Sequence, residues 1–346
     1  MFTTNKSAVV TMLAALGCLS TSAEASTDIS AMIFNGTDTS AEEWPSIASI
    51  YYDASDYGGD QESYCTGTIL DEQHVLTAAH CLYDGDEVFE PYLIYTSVVP
   101  QMNDESDAVN GLVTPIRASE FYAHPDFVDS AISEAVPWPN DIAIIKLETP
   151  MNVDSNAYTV QGLSSQASSY RQTDEEFVAV GYGITETGSY GELLQTTLNY
   201  QTQANCSLGA GDSQICTTGD YNFSTDVRNS TCNGDSGGPL FWYDGSQYVQ
   251  IGVTSYGWTG CSNEFNTDTA VFTEVADYSA WVSSVLSGNE TPVYTVTDQE
   301  RYDYVYGSDS TSSTSSSDSG GTVSLNWLLL MALVAASVRF RRRSIV

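Results

Sequence analysis

The sequence predicts an all-β fold, an antiparallel barrel or sandwich, and three observations carry that reading. Between residues 45 and 275, short β-rich runs are separated by polar turns of Gly, Asn and Asp. Hydrophobic residues make up 42% of the chain and tyrosines number 22, which supports a buried core. Six cysteines follow an export signal, so disulfides formed in an oxidising compartment are expected to brace the strands. The 346 residues allow one large or two modest domains.

The chain opens on that signal. Lys6 gives the positive end, residues 8–19 are mostly apolar, and Ala23-Glu24-Ala25 has the small-x-small form cut by signal peptidase. Residues 1–25 therefore read as a signal peptide. The clearest strands are 46–52, 74–78, 92–99, 141–147, 176–182, 193–200, 239–243, 248–256 and 270–275. One helix follows them. Tyr278, Trp281, Val282, Val285 and Leu286 recur at helical spacing, with Asp277 placed to cap the start and Gly288-Asn289 to stop it. Its apolar face is expected to pack on the strands.

After the helix the composition changes. Residues 291–321 are grouped as a linker, Tyr-rich at first and from 307 almost wholly Ser, Thr, Asp and Gly, which cannot bury a core. Residues 322–346 form a transmembrane tail. Its apolar stretch, 323–338, is close to the ~17–25 residues that span a bilayer. Arg339, Arg341, Arg342 and Arg343 follow and are expected to stay cytoplasmic, leaving the large domain across the membrane.

Ten Lys and Arg stand against 45 Asp and Glu, a net charge of −35. Such a surface repels nucleic acid and anionic membranes and attracts basic polypeptides. The run Asp104-Glu105-Ser106-Asp107 offers calcium-type ligands. In so acidic a chain it reads as a solvated loop, and neither a metal nor a cofactor is expected.

The chemistry centres on Gly234-Asp235-Ser236-Gly237-Gly238-Pro239. A serine hydroxyl is a weak nucleophile until a base takes its proton. Glycines beside it let backbone N–H groups converge on one point, where they stabilise an oxyanion. The base at neutral pH is a histidine, and the chain has three: His74, His80 and His124. His80 lies in Leu76-Thr77-Ala78-Ala79-His80-Cys81, whereas His74 begins a strand and reads as structural. Asn140-Asp141-Ile142-Ala143-Ile144-Ile145 puts an acid directly before an apolar strand. The order His80, Asp141, Ser236 is that of chymotrypsin-type enzymes.

These motifs resemble the trypsin/chymotrypsin family of serine proteases from residue 33 to about 287. The resemblance implies two packed six-stranded antiparallel β-barrels with a C-terminal helix, in a protease domain spanning 33–290. It implies Ser236 as nucleophile, His80 as general base, Asp141 as orienting acid, and the N–H groups of Gly234 and Ser236 as oxyanion hole. It also implies that residues 26–32 are a propeptide and that a freed Ile33 amine pairs with Asp235. The implied disulfides are Cys65–Cys81, Cys206–Cys216 and Cys232–Cys261, although six cysteines alone permit fifteen pairings. Ser255, Tyr256 and Gly257 resemble the strand that pairs with substrate backbone, with Ser255 also close to Asp141.

Two features depart from trypsin itself. Ser230 stands where members that cut after Lys or Arg carry Asp, and Ala270 lines the same pocket wall. That neutral pocket implies cleavage after an aromatic or large aliphatic residue. The alternative is Lys/Arg specificity, should Asp268 or Glu264 enter the pocket. Ser30-Ala31-Met32 before Ile33 lacks a basic residue, which implies self-activation after Met32. A catalytically inactive homologue serving as a binding module is the reading from another class.

The tail, Ser319-Gly320-Gly321 followed by the apolar stretch and arginines, resembles the GlyGly-CTERM sorting signal of Gram-negative bacteria. That resemblance implies cleavage by a rhomboid-type sorting protease, then surface display or release through type II secretion. A permanent membrane anchor is the alternative.

Overall fold

The structure, a computed structural model, describes residues 33–84, 87–130, 136–173, 175–224, 226–258, 261 and 270–307. The expected signal peptide, propeptide, Ser-rich linker and tail lie outside these residues, as do Glu264 and Asp268. Among the described residues no helix is long and apolar enough to cross a membrane.

Strands in the first half are β1 (Thr37–Asp38), β2 (Ile47–Asp53), β3 (Gln61–Ile69), β4 (His74–Thr77), β5 (Thr96–Pro100), β6 (Ile116–Ala123) and β7 (Ala143–Leu147). The second half supplies β8 (Glu176–Gly181), β9 (Leu194–Gln201), β10 (Gln214–Gly219), β11 (Pro239–Tyr243), β12 (Tyr248–Tyr256), β13 (Ala270–Glu274) and β14 (Tyr294–Thr295). Pairing in the order β6-β5-β2-β3-β4-β7 closes through β6–β7 into one six-stranded barrel. The order β9-β8-β11-β12-β13-β10 closes through β9–β10 into a second. Closure removes the exposed edges that an open sheet would leave, which settles the choice between barrel and sandwich.

Each barrel fills with the inward half of alternating strands. In β9 the buried residues are every second one, Leu194, Thr196, Leu198 and Tyr200. Ile50, Ile69, Val75, Leu76, Phe121 and Ile145 form the first core, and Phe177, Leu198, Ile215, Leu240 and Phe272 the second. A third cluster joins the barrels, with Ile47, Tyr51 and Val99 from one and Val180 and Phe241 from the other.

Two chain ends augment the barrels crosswise. β1 adds to β9 of the second barrel, and β14, from the far end, adds to β6 of the first. The acidic run expected as a solvated loop is instead the start of a short helix, α1 (Glu105–Val109). Asp104 caps it by accepting from Ser106 N–H at 2.8 Å, and Glu105 turns inward to accept from Ser63 N–H. The C-terminal helix α2 (Ser279–Leu286) packs Val282 and Val285 into the first core. Its start differs from expectation: a 3-10 turn over Val275–Tyr278 leads in, so Asp277 makes no cap. Gly288 ends it as expected, at φ +71°.

Residues 291–306 are not linker. After β14 comes α3 (Asp298–Tyr306), opened by a reciprocal capping box between Thr297 and Glu300. Arg301 on this helix is completely buried. Its guanidinium donates to Ile94 O, Ala118 O, Glu148 Oε1 and Asp298 Oδ1 at 2.6–2.9 Å. A buried charge needs such partners, and these fasten the segment to the first barrel.

Candidate active site

Strand register brings His80 and Asp141 together. β4 and β7 pair antiparallel with Thr77 opposite Ala143, so the chain leaving β4 passes the chain entering β7. His80 sits in the 3-10 turn Ala79–Leu82, and the Cys65–Cys81 disulfide ties that turn to β3. Asp141 has no exposed surface. Its Oδ1 accepts from His80 N–H at 2.8 Å, and its Oδ2 lies 2.7 Å from His80 Nδ1. A carboxylate only accepts, so Nδ1 carries the proton and Nε2 is left with a free lone pair. Ser255 Oγ donates to the same Oδ2 at 2.5 Å. A bulge between Thr254 and Tyr256, opposite Phe272 and Val271, turns Ser255 toward this acid.

Ser236 reaches the same place from the second barrel. Its carbonyl accepts from Thr66 N–H of β3 at 2.8 Å, and Cys81 Sγ lies 3.8 Å from that oxygen. Gly234 and Gly237 hold φ of +100° and +80°, backbone that favours glycine. A Cβ on Gly237 would lie 2.0 Å from Thr77 Oγ1 and 2.4 Å from Thr66 O, so no larger residue fits. The N–H groups of Asp235, Gly237 and Gly238 all have backbone acceptors. Among the described residues those of Gly234 and Ser236 have none. They are the two donors expected for an oxyanion.

Asp235 is fully buried between Gly181 and Gly183. Its carboxylate accepts from Gly183 N–H at 2.9 Å and Cys232 N–H at 2.7 Å. Burial outweighs those bonds and pushes its acid up from 3.8 to about 7. Among the described residues no cation pairs with it. Ile33 is buried beside Leu194, and the chain then pairs Phe34 with Ser230.

A cavity of about 130 Å³ opens beside Ser236. Of the expected pocket residues, Ser255, Tyr256 and Gly257 line it. Ser230 and Ala270 are buried at 3% and 2% exposure and lie outside the lining. Ser230 Oγ turns to Thr231 O at 3.1 Å. The sequence reading missed Trp138, Asn233 and Trp258 on the cavity wall. Trp138 lies over His80, with ring centroids 4.5 Å apart and planes at 26°. No motif marks it. His74 binds Asp71 at 2.8 Å, and His124 packs against Tyr278 and Trp281, so both serve the framework.

The remaining expected disulfides, Cys206–Cys216 and Cys232–Cys261, are present. Among the described residues one cluster offers three metal-type ligand atoms, Cys65, Cys81 and His80, but its two sulfurs are bonded to each other.

Comparison with known proteins agrees with this geometry. The trypsin family model matches residues 33–282. Human chymotrypsin-like elastase family member 1 is 28% identical over 274 residues, covering 76% of this chain and 95% of that protein. Serine protease SSP1 of Scolopendra subspinipes is 30% identical over 224 residues, 63% of this chain and 71% of its own. Urokinase-type plasminogen activator of Gallus gallus is 28% identical over 270 residues, 74% and 57% respectively.

Proposed function

From a chain that belongs to the trypsin family of serine proteases, and is thereby a serine endopeptidase, we propose a mechanism run by Ser236, His80 and Asp141. The observation that carries it is the buried Asp141 carboxylate, bonded to His80 Nδ1 and leaving Nε2 free to accept. Ser236 Oγ attacks the scissile carbonyl while its proton passes to His80 Nε2. The oxyanion is met by the N–H groups of Gly234 and Ser236, which no acceptor among the described residues engages. Collapse breaks the C–N bond, and His80 returns the proton to the leaving amine. Water then repeats the sequence on the acyl-enzyme, releasing the acid and restoring Ser236.

Three further parts of the reading concern selection and maturation. The aromatic wall of Trp138, Tyr256 and Trp258 favours an aromatic or large aliphatic side chain before the scissile bond, and Ser230, outside the lining, adds no charge. Cleavage after Met32 frees the Ile33 amine, which pairs with Asp235 and completes the oxyanion loop. The signal peptide and the GlyGly tail export the enzyme to the surface or exterior of a Gram-negative cell.

Cleavage of a peptide library by the mature enzyme tests the pocket. Preference for Phe, Tyr, Leu or Met is the expected result, and strict cleavage after Lys or Arg would overturn it.

A further inference from the structure

Trp138 stands immediately before Pro139 and three residues before Asp141, with φ of +42°. Bulky side chains seldom take left-handed backbone, and a residue preceding proline is pushed toward extended conformations as well. Asn140, just after the proline, is also left-handed at φ +60°. The turn is therefore strained on both sides of Pro139 and persists only if its surroundings hold it.

They hold it from both barrels. Trp138 N–H donates to Ser130 Oγ at 2.9 Å. Gln214, on β10 of the second barrel and 3% exposed, donates through Nε2 to Pro137 O at 2.9 Å and Trp138 O at 3.4 Å. Its Oε1 accepts from Gly211 N–H at 2.7 Å and the Tyr256 hydroxyl at 3.2 Å. A buried glutamine with both ends engaged is a rigid brace. What it secures is an indole stacked on the His80 ring, with the edge of Tyr256 at 6.1 Å, packed against the cluster of Leu208, Cys216 and Val271.

The imidazole becomes positive when it takes the nucleophile's proton. An indole face is electron-rich and attracts a cation lying over it. Asp141 grips the ring by its Nδ1 edge, and the indole covers its face. Resting on the assignment of His80 as base, we propose that Trp138, braced by Gln214, is a positioning residue that fixes the His80 ring plane and favours the imidazolium. Among the described residues, the titratable groups packed here are Asp141, which bonds His80, Tyr256, whose hydroxyl turns to Gly209 O and Gln214, and Tyr278, whose hydroxyl donates to Asn140 Oδ1.

The test compares mature Trp138→Leu, Trp138→Phe and Gln214→Leu enzymes on one and the same small peptide substrate, with kcat and KM read separately. Leucine keeps water off the imidazole but has no π face, and phenylalanine keeps both. Titration with a fluorophosphonate puts every rate on a per-active-serine basis. Trp138→Leu is expected to lower kcat roughly tenfold with KM little changed, and to move the acid limb of the kcat/KM profile to lower pH. Trp138→Phe recovers most of the rate, and Gln214→Leu follows Trp138→Leu in direction. Equal profiles for the Leu and Phe enzymes, or an effect confined to KM, would reduce Trp138 to a cavity wall. A wild-type enzyme that fails to react with the fluorophosphonate would overturn the triad, and this inference with it, before any variant is compared.

Discussion

Asp141 exposes none of its surface, yet three donors meet its two carboxylate oxygens: His80 N–H, His80 Nδ1–H and Ser255 Oγ–H. A hydrogen bond to a charged group contributes about 1.5–3 kcal/mol. Ser255→Ala removes one of the three and leaves a buried carboxylate short of a partner. We expect kcat to fall at least tenfold with KM nearly constant, measured on a small peptide substrate. The neighbouring acid behaves differently. In the uncut chain Asp235 keeps its proton to about pH 7, while the unfolded chain releases it near 3.8. The folded state therefore loses stability as pH rises from about 4 to about 7, by up to about 1.4 kcal/mol per pH unit. Melting curves of the uncut Ser236→Ala chain should show this fall, and adding Asp235→Asn should flatten it. An unchanged slope would mean that Asp235 does not carry the effect. His80, Asp141 and Ser236 were legible because each sits in its own local motif. Trp138 was not, because its place depends on a left-handed turn and on Gln214, 76 residues away.

At the scale of elements, the strands with regular apolar runs were legible, and β11 and β12 match their expected bounds. β3, β6 and β10 were missed, as were the two-residue strands β1 and β14. β3 carries Gln61, Glu62 and Ser63 at its outer end, and β6 mixes Arg117, Ser119 and Glu120 among its buried residues, so neither reads as a clean run. The segment 291–306 was misgrouped because its anchors, Arg301 on long-range carbonyls with Val296, Tyr294 and Val305 against the first core, follow no regular period. The Thr297–Glu300 capping box was the available signal. Replacing Arg301 strips the Ile94 and Ala118 carbonyls of a buried donor, and a buried acceptor left unpaired costs about 1–3 kcal/mol. Arg301→Met should lower the urea midpoint of the Ser236→Ala chain accordingly, with the loss tracking the first barrel. A change below about 1 kcal/mol would show that α3 merely rests on the surface.

At the scale of the molecule, each barrel is closed by its own strands and extended by the opposite end of the chain. The site draws on both: His80 and Asp141 from the first, Ser236 and Ser255 from the second. Thr66 is the stitch between them, its N–H bonded to Ser236 O and its Oγ1 to Gly234 O. The two-barrel plan became legible only through the family resemblance, since strand patterns alone left barrel and sandwich open. The net charge of −35 does not indicate the fold and acts on encounter with charged partners. The account as a whole stands on an activated Ser236. Labelling the mature enzyme with a fluorophosphonate and mapping the adduct by mass spectrometry tests that directly. One adduct on Ser236, absent from Ser236→Ala and strongly slowed in His80→Ala, is the predicted result; no adduct, or one on another residue, would contradict it.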